Sequence, residues 1–315
     1  MSTSLRMVRV IDSHTAGQPT RIVVEGGPDL GAGSIAERRD RFRLNFDRFR
    51  RAIVAEPRGH DALVGALLCP PADPSNTAAV IFFDDSAYLP MSGHGVIGLL
   101  ATLEYLGQIK PSGMHRVETP AGLITAEGHP GGDISIQSVP SFRHKKNVAV
   151  NLNGSSVSGD VAYGGNWFFI VNEPRQELTA HRADELTALG REIEEALDRD
   201  RVRGPKGEDI RNIAFFGPPH RRDANSRDFV LRAGKAYDRS PSGTATCAKL
   251  ACMYEDGQIA EGQTWRQESI VGTVFDASVT VIDGVIRPTV RGNAYITAES
   301  MLIVDERDPL CWGFA

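Results

Sequence analysis

Two short segments carry residue types that could move a proton. Ser92-Gly93-His94-Gly95 and Ser242-Gly243-Thr244-Ala245 lie 150 residues apart, and each opens an apolar stretch of helical character. The first turn of a helix presents N–H groups without intrahelical acceptors and a partial positive charge, so such a start binds a carboxylate. Gly93 and Gly243 would let the backbone approach a ligand closely. A hydroxyl beside each of two facing helix starts would stand on opposite faces of a bound α-carbon. Stereoinversion needs that arrangement: one group removes the α-proton and the other returns a proton from the far side. If the site neutralises both charges of an amino acid, no cofactor is required. A lone serine at such a place is usually an N-cap, and His94 alone would read as a structural histidine. Two serines at matched positions weaken the capping reading without removing it. Asp238, just ahead of the second turn, is a candidate partner for a substrate ammonium or a plain turn residue.

The elements around these segments repeat. The helix opened by Ser92 ends in Leu106-Gly107-Gln108-Ile109, and the one opened by Ser242 ends in Asp256-Gly257-Gln258-Ile259. Gly107 and Gly257 sit where a helix C-cap is expected. Downstream, Arg116, Glu118 and Gly122 meet Arg266, Glu268 and Gly272. Over 92–122 ten of 31 positions are identical to those 150 residues on, against about two expected by chance. A weaker echo at offset 148 pairs Gly17, Ile22 and Val23 with Gly165, Ile170 and Val171. This is a two-copy repeat of about half the chain rather than a solenoid. Packing alone could maintain it, or both copies could serve one site, since ligands favour domain interfaces.

Short β-type runs predict strands at Val8–Asp12, Thr20–Val24, Ala78–Phe83, Trp167–Val171, Phe229–Leu231 and Val279–Ile282. The spacing of Phe42, Phe46, Phe49 and Ile53 predicts one helix over Ser34–Ile53, whose arginines read as a solvated face. A second amphipathic helix is expected over Asp184–Asp198.

The chain has 315 residues, 35 Lys plus Arg and 40 Asp plus Glu, for a formal charge of -5. Two domains are the expectation at this length. Such a mildly acidic chain has no global attraction for nucleic acid or anionic membrane. Met1–Arg9 lacks a signal-peptide core, and the longest apolar stretches are too short to span a bilayer. Four cysteines (Cys69, Cys247, Cys252, Cys311) make no disulfide framework. A reducing cytoplasm is expected, with the sequon at Asn153 an accident of composition. There is no phosphate loop, dinucleotide fingerprint or His-Glu-x-x-His. His14, His60 and His94 are scattered, so no metal is expected. Lys235 lacks the phosphate cup a pyridoxal Schiff base would need. The expected partner is a small-molecule substrate; a homodimer is left open.

These segments resemble the proline racemase family, most closely its 4-hydroxyproline 2-epimerase branch. The resemblance runs nearly end to end through Asp12-Ser13-His14-Thr15-Ala16-Gly17, Glu56-Pro57-Arg58-Gly59, Met91-Ser92-Gly93-His94-Gly95, Gly164-Gly165-Asn166-Trp167-Phe168-Phe169, Asp238-Arg239-Ser240-Pro241-Ser242-Gly243-Thr244 and Cys311-Trp312-Gly313. It implies an α/β (α+β), diaminopimelate-epimerase-like fold of two similar halves, each a sheet wrapped around a central helix, with the active site in the cleft between them. The halves would be 1–123 with about 295–315, and 124–294. It implies a cofactor-independent isomerase acting on hydroxyproline or proline. Ser92 and Ser242 fall at its two acid/base positions. Gly93, His94, Gly243 and Thr244 fall where it binds the substrate, and Asp238 where an acid contacts the ring nitrogen.

The chain departs from the family at its chemical centre. Relatives commonly carry cysteine at one or both acid/base positions, and here both are serine. A thiol titrates near 8.5 and lower at a helix start, whereas a serine hydroxyl must hand its proton to another group. His94 or water could take it. Cys247, five residues beyond Ser242, is more than one turn away and no substitute. Asn212 falls near a pocket histidine of the epimerases, which bears on ring-hydroxyl preference. The alternatives are an active serine–serine epimerase, a relative turned to another reaction, or an enzyme whose cysteines were replaced to trap a ligand. Dehydration of trans-3-hydroxy-L-proline, plain proline racemisation and non-catalytic binding of pyrrolidine carboxylates stay open.

Overall fold

The computed structural model describes residues 5–314 apart from 111, 153, 173, 175, 234 and 235, so Asn153 and Lys235 lie outside the described residues. The chain forms two compact units, one of residues 1–136 with 293–315 and one of 137–292. The sequence placed these boundaries after 123 and 294. The first falls later because β6 (Gly113–Thr119), β7 (Gly122–Gly128) and β8 (Ile134–Gln137) form a continuous antiparallel meander, and a cut after 123 would sever its first hairpin.

The first unit also holds β1 (Leu5–Thr15), β2 (Gln18–Glu25), β3 (Val64–Cys69), β4 (Ala78–Phe83), the two-residue β5 (Tyr88–Leu89) and the last strand, β17 (Ala294–Asp305). Its strand order is β17-β1-β2-β3-β4-β6-β7-β8, with β5 added beside β4. Pairs β2/β3 and β4/β6 are parallel and the others antiparallel. Helices α1 (Ile35–Asn45) and α2 (Asp47–Val54) connect β2 to β3, and α3 (Gly93–Tyr105) precedes β6.

The second unit runs β9 (Phe142–Leu152), β10 (Ser155–Tyr163), β11 (Trp167–Val171), α4 (Ala183–Arg199), β12 (Asn212–Gly217), β13 (Ser226–Leu231), α5 (Gly243–Glu255), β14 (Trp265–Glu268), β15 (Val274–Ile282) and β16 (Val285–Gly292). These strands pair in chain order, with β11/β12 and β13/β14 parallel and the rest antiparallel. The two units thus share one order and one succession of orientations. Even the register repeats: Ile22 pairs Ala66 as Ile170 pairs Ala214, and Ala78 pairs Val117 as Ser226 pairs Gln267.

Strand periodicity explains why each sheet has helices on both faces. Ile81 and Phe83 pack with Phe42, Phe49 and Ile53 of α1 and α2, while Val80 and Phe82 pack with Val96, Leu99 and Leu103 of α3. In the second unit Phe169 and Val171 face Ile193 and Leu197 of α4, and Phe168 and Ile170 face Ala245, Ala248 and Cys252 of α5. Helices α3 and α5 are therefore the central helices, each inside its own curved sheet, in the architecture expected of each half.

The expected Ser34–Ile53 helix is two helices. Ser34 caps the first with a reciprocal bond from Glu37, and Phe46 breaks the run at φ −134°. Its arginines are not all solvated: buried Arg38 donates to Pro70 O, and buried Arg50 to Asp47 and to Asp84 O. The Asp184–Asp198 helix matches α4, and the runs at Ala78–Phe83 and Trp167–Val171 match β4 and β11 residue for residue.

Candidate functional site

The matched residues downstream of the helices do structural work, and do it twice. Glu118 accepts the backbone N–H groups of Ala72 and Asp73, while Glu268 accepts those of His220 and Arg221. Arg116 O receives Thr77 N–H at 2.8 Å, as Arg266 O receives Asn225 N–H at 2.8 Å. Gly107 and Gly257 both end their helices at φ +69°, a conformation L side chains resist. These identities hold the loops before β4 and β13 and the ends of α3 and α5.

The identities at the helix starts are of another kind. Ser92 and Ser242 are the N-cap residues of α3 and α5, both are buried, and the two residues after each are partly exposed. A Cβ built on Gly93 or on Gly243 meets nothing within 4 Å, so each start opens on free space. A tight hairpin turn covers each start from the other side. Beside α3, Thr15 at the end of β1 donates to His94 O at 2.8 Å. Beside α5, Gly164 lies so close that a Cβ would stand 2.2 Å from Thr244 O. His94 and Thr244 are equivalent in the repeat, so the same carbonyl is bonded by the β1–β2 side in one unit and packed against by the β10–β11 turn in the other. The Asp12–Gly17 and Gly164–Phe169 motifs are thereby explained as positioning elements.

The two serines differ in their partners. Ser92 Oγ accepts Gly95 N–H at 3.2 Å and lies 3.3 Å from His94 Nε2, which can take or return the hydroxyl proton. Ser242 makes no side-chain cap. Its N–H donates to Asp228 Oδ2 at 3.0 Å, and its hydroxyl is near enough to the Asp238 carboxyl to favour its charged form. Burial raises the Asp238 carboxyl above the usual carboxylate range, opposed by Arg232 at 3.1 Å. Each helix start thus joins a serine hydroxyl to a group able to exchange a proton with it. Cys247 offers no substitute: burial pushes its thiol up to about 12.

Asn212 is spent on structure. Its Nδ2 donates to Trp167 O at 2.8 Å and its Oδ1 accepts Ala233 N–H at 3.1 Å, so it ties β11, β12 and the loop after β13 together. The Asp12, Glu56–Gly59 and Cys311–Gly313 motifs form a clasp in the first unit. Asp12 pairs with Arg21 at 2.8 Å, Arg21 donates to Arg58 O, and Arg58 donates to Cys311 O. Sequence reasoning missed Ser226, Asp228, Arg232 and Lys249. The available signals were three successive polar residues, Ser226-Arg227-Asp228, ahead of the apolar Phe229-Val230-Leu231 in one strand, and a lysine two turns below Ser242 in an apolar helix. Among the described residues no group of three or more His, Cys, Asp or Glu side chains could hold a metal ion, and no helix is long and apolar enough to cross a membrane.

Comparison with known proteins covers nearly the whole chain. The family model described as proline racemase matches residues 10–315. A 4-hydroxyproline 2-epimerase of Pseudomonas aeruginosa is 49% identical over 315 residues, covering 98% of this chain and 99% of that protein. A 4-hydroxyproline epimerase of Burkholderia cenocepacia is 47% identical over 310 residues, again covering 98% and 99%. Among solved structures, a hydroxyproline epimerase from Agrobacterium vitis with bound trans-4-hydroxy-L-proline superposes with a TM-score of 0.83 at 24% identity, covering 98% of this chain and 96% of that one.

Proposed function

This chain belongs to the proline racemase family, and from that premise we propose that it interconverts trans-4-hydroxy-L-proline and cis-4-hydroxy-D-proline by moving the proton at carbon 2. It is an isomerase of the racemase and epimerase type, and the reaction runs without a cofactor. The observation that carries this reading is the duplicated helix start, with a serine and its own proton-exchanging partner at each.

Ser92, Ser242 and their partners act on one substrate. In one direction a serine hydroxyl passes its proton to its partner, His94 Nε2 or Asp238, and its oxygen takes the α-proton. The C–H bonding pair moves into the carboxylate, whose growing charge is met by the N–H groups of the two helix starts at Gly93, His94, Gly243 and Thr244. The second serine delivers its proton to the opposite face and is reprotonated by its partner. The raised Asp238 carboxyl suits it to hold that proton, and it also faces the ring nitrogen. After turnover the enzyme carries its proton on the other side, ready for the epimer or for exchange with water. Asn212 contributes to the ring-hydroxyl side by holding β11 and β12 together.

Four cysteines without disulfides suit a reducing cytoplasm. The test is proton NMR of trans-4-hydroxy-L-proline with the enzyme in deuterium oxide. Loss of the α-proton signal with growth of the deuterated cis-D epimer is expected. An α-proton signal unchanged over prolonged incubation would overturn the assignment, and a cyclic imine would redirect it to dehydration.

A further inference from the structure

A buried polar cluster lies beneath the start of α5 and has no counterpart beneath α3. Asp228 is 2% exposed and takes the Ser242 N–H at 3.0 Å. Lys249, seven residues after Ser242 on the same helix face, donates to Ser226 Oγ at 3.1 Å, with its ammonium 4.2 Å from the Phe216 ring centroid. Burial raises the Asp228 carboxyl, and the Lys249 ammonium opposes that rise. In the first unit, 148 residues before Ser226 and Asp228 stand Ala78 and Val80, and 150 before Lys249 stands Leu99. All three are fully apolar and buried, and they pack α3 onto its sheet.

The repeat therefore supplies an internal control. The same strand pairing and the same central helix are built in the first unit with apolar residues, so the fold does not require a carboxylate and an ammonium here. Burying them costs free energy unless both are satisfied. What differs above them is the serine. Ser92, over the apolar version, spends an oxygen lone pair on capping Gly95 N–H; Ser242, over the polar version, caps nothing and lies beside the Asp238 carboxyl.

We infer that Asp228 is a positioning residue. By holding the Ser242 N–H it keeps the hydroxyl out of the capping position and turned toward Asp238. This rests on the reading of Ser242 as a proton-transfer group.

The test copies the first unit into the second, as the double variant Asp228→Val with Lys249→Leu. Its crystal structure is expected to show Ser242 Oγ accepting from Ala245 N–H, as Ser92 does from Gly95. Its kcat is expected to fall by about 10- to 100-fold with KM changed less than about threefold, the pattern of a misplaced reacting group. Asp228→Asn, which keeps an acceptor for the Ser242 N–H, is expected to retain kcat within a few-fold. A double variant whose Ser242 still faces Asp238, or whose kcat equals the parent's, overturns the inference. If the double variant does not fold, Asp228→Ala is read by the same two measurements. A parent enzyme without α-proton exchange would sink the proposed function alone, because the orientation of Ser242 in the variant structure still decides this point.

Discussion

Ser92 and Ser242 occupy equivalent positions and have unequal duties, so their removal should separate chemistry from stability. Ser92→Ala deletes an N-cap bond and should cost about 1 kcal/mol; Ser242→Ala deletes none at its own helix and should cost less. Either change should stop inversion, with kcat down by about 10²-fold or more. Urea denaturation and the NMR assay read the two effects, and equal stability losses would show that the cap at Ser92 contributes nothing. A second residue-scale expectation concerns pH. Burial raises the Asp228 carboxyl, so its contribution to stability is full below the ordinary aspartate value, about 3.9, and is lost as pH rises. Asp238 has the same sign, while Lys249, lowered to about 8 by burial, is relieved above that pH. Relative to the parent, Asp228→Asn should therefore gain stability between pH 5 and pH 8. A difference that stays constant across that range would show that Asp228 titrates as it does in the unfolded chain. None of this was visible in the sequence. Ser92, His94, Asp238 and Ser242 could be read because their residue types and helix-start setting carry chemistry. Asp228 and Lys249 fall where the two copies disagree, and identity was the signal followed.

At the scale of elements, the hairpin turns and central helices form fixed pairs. Gly164 has backbone of α5 where a side chain would go, at 2.2 Å from Thr244 O and 2.5 Å from Ala248 N. Gly164→Ala should push the turn and the helix start apart, costing about 1–3 kcal/mol as overpacking does, and should lower kcat through displaced Ser242. Gly243→Ala, where a Cβ meets nothing, serves as the comparison and should leave stability within about 1 kcal/mol. Thermal unfolding with the exchange assay distinguishes them, and a harmless Gly164→Ala would mean the turn does not brace the helix. Both C-cap glycines were legible, since a positive φ leaves a residue-type signature. The break at Phe46 was not, because Phe42, Phe46, Phe49 and Ile53 keep helical spacing across it. The inward turn of Arg38 and Arg50 was equally hidden, since the groups that draw them in include carbonyls at Pro70 and Asp84 that no pattern of side chains advertises.

For the whole molecule, the repeat was legible at offset 150 and faint at 148, and the strand registers explain why. Strands need only apolar character at each position, so β2 and β11 share little more than Ile22 and Ile170, whereas the helix starts and the glutamate clamps need particular residues. The first boundary was misplaced for the same reason: nothing in Leu123 and Ile124 says that they complete a hairpin with Val117 and Glu118. The second unit is one uninterrupted segment with its own sheet and core, and residues 137–292 expressed alone should fold, showing a cooperative thermal transition. A chain ending at 292 should lose the first unit, because β17 is a neighbour of β1 along all eleven of its residues. Circular dichroism of the two fragments reads this, and a cooperative first-unit transition without β17 would count against the pairing.

The β1–β17 pairing also makes the chain close on itself. Leu5 stands opposite Asp305, and the Arg6 guanidinium lies 6.0 Å from the ring centroid of Trp312, so the first and last described segments of the chain lie side by side. Joined there by a short linker, the backbone becomes a ring of two linked lobes, and the ring can be reopened elsewhere. Opened between 136 and 137, it would run as two successive uninterrupted lobes, with the lobe that is now split made continuous. Such a circular permutant would separate the order in which the lobes are synthesised from the structure they reach.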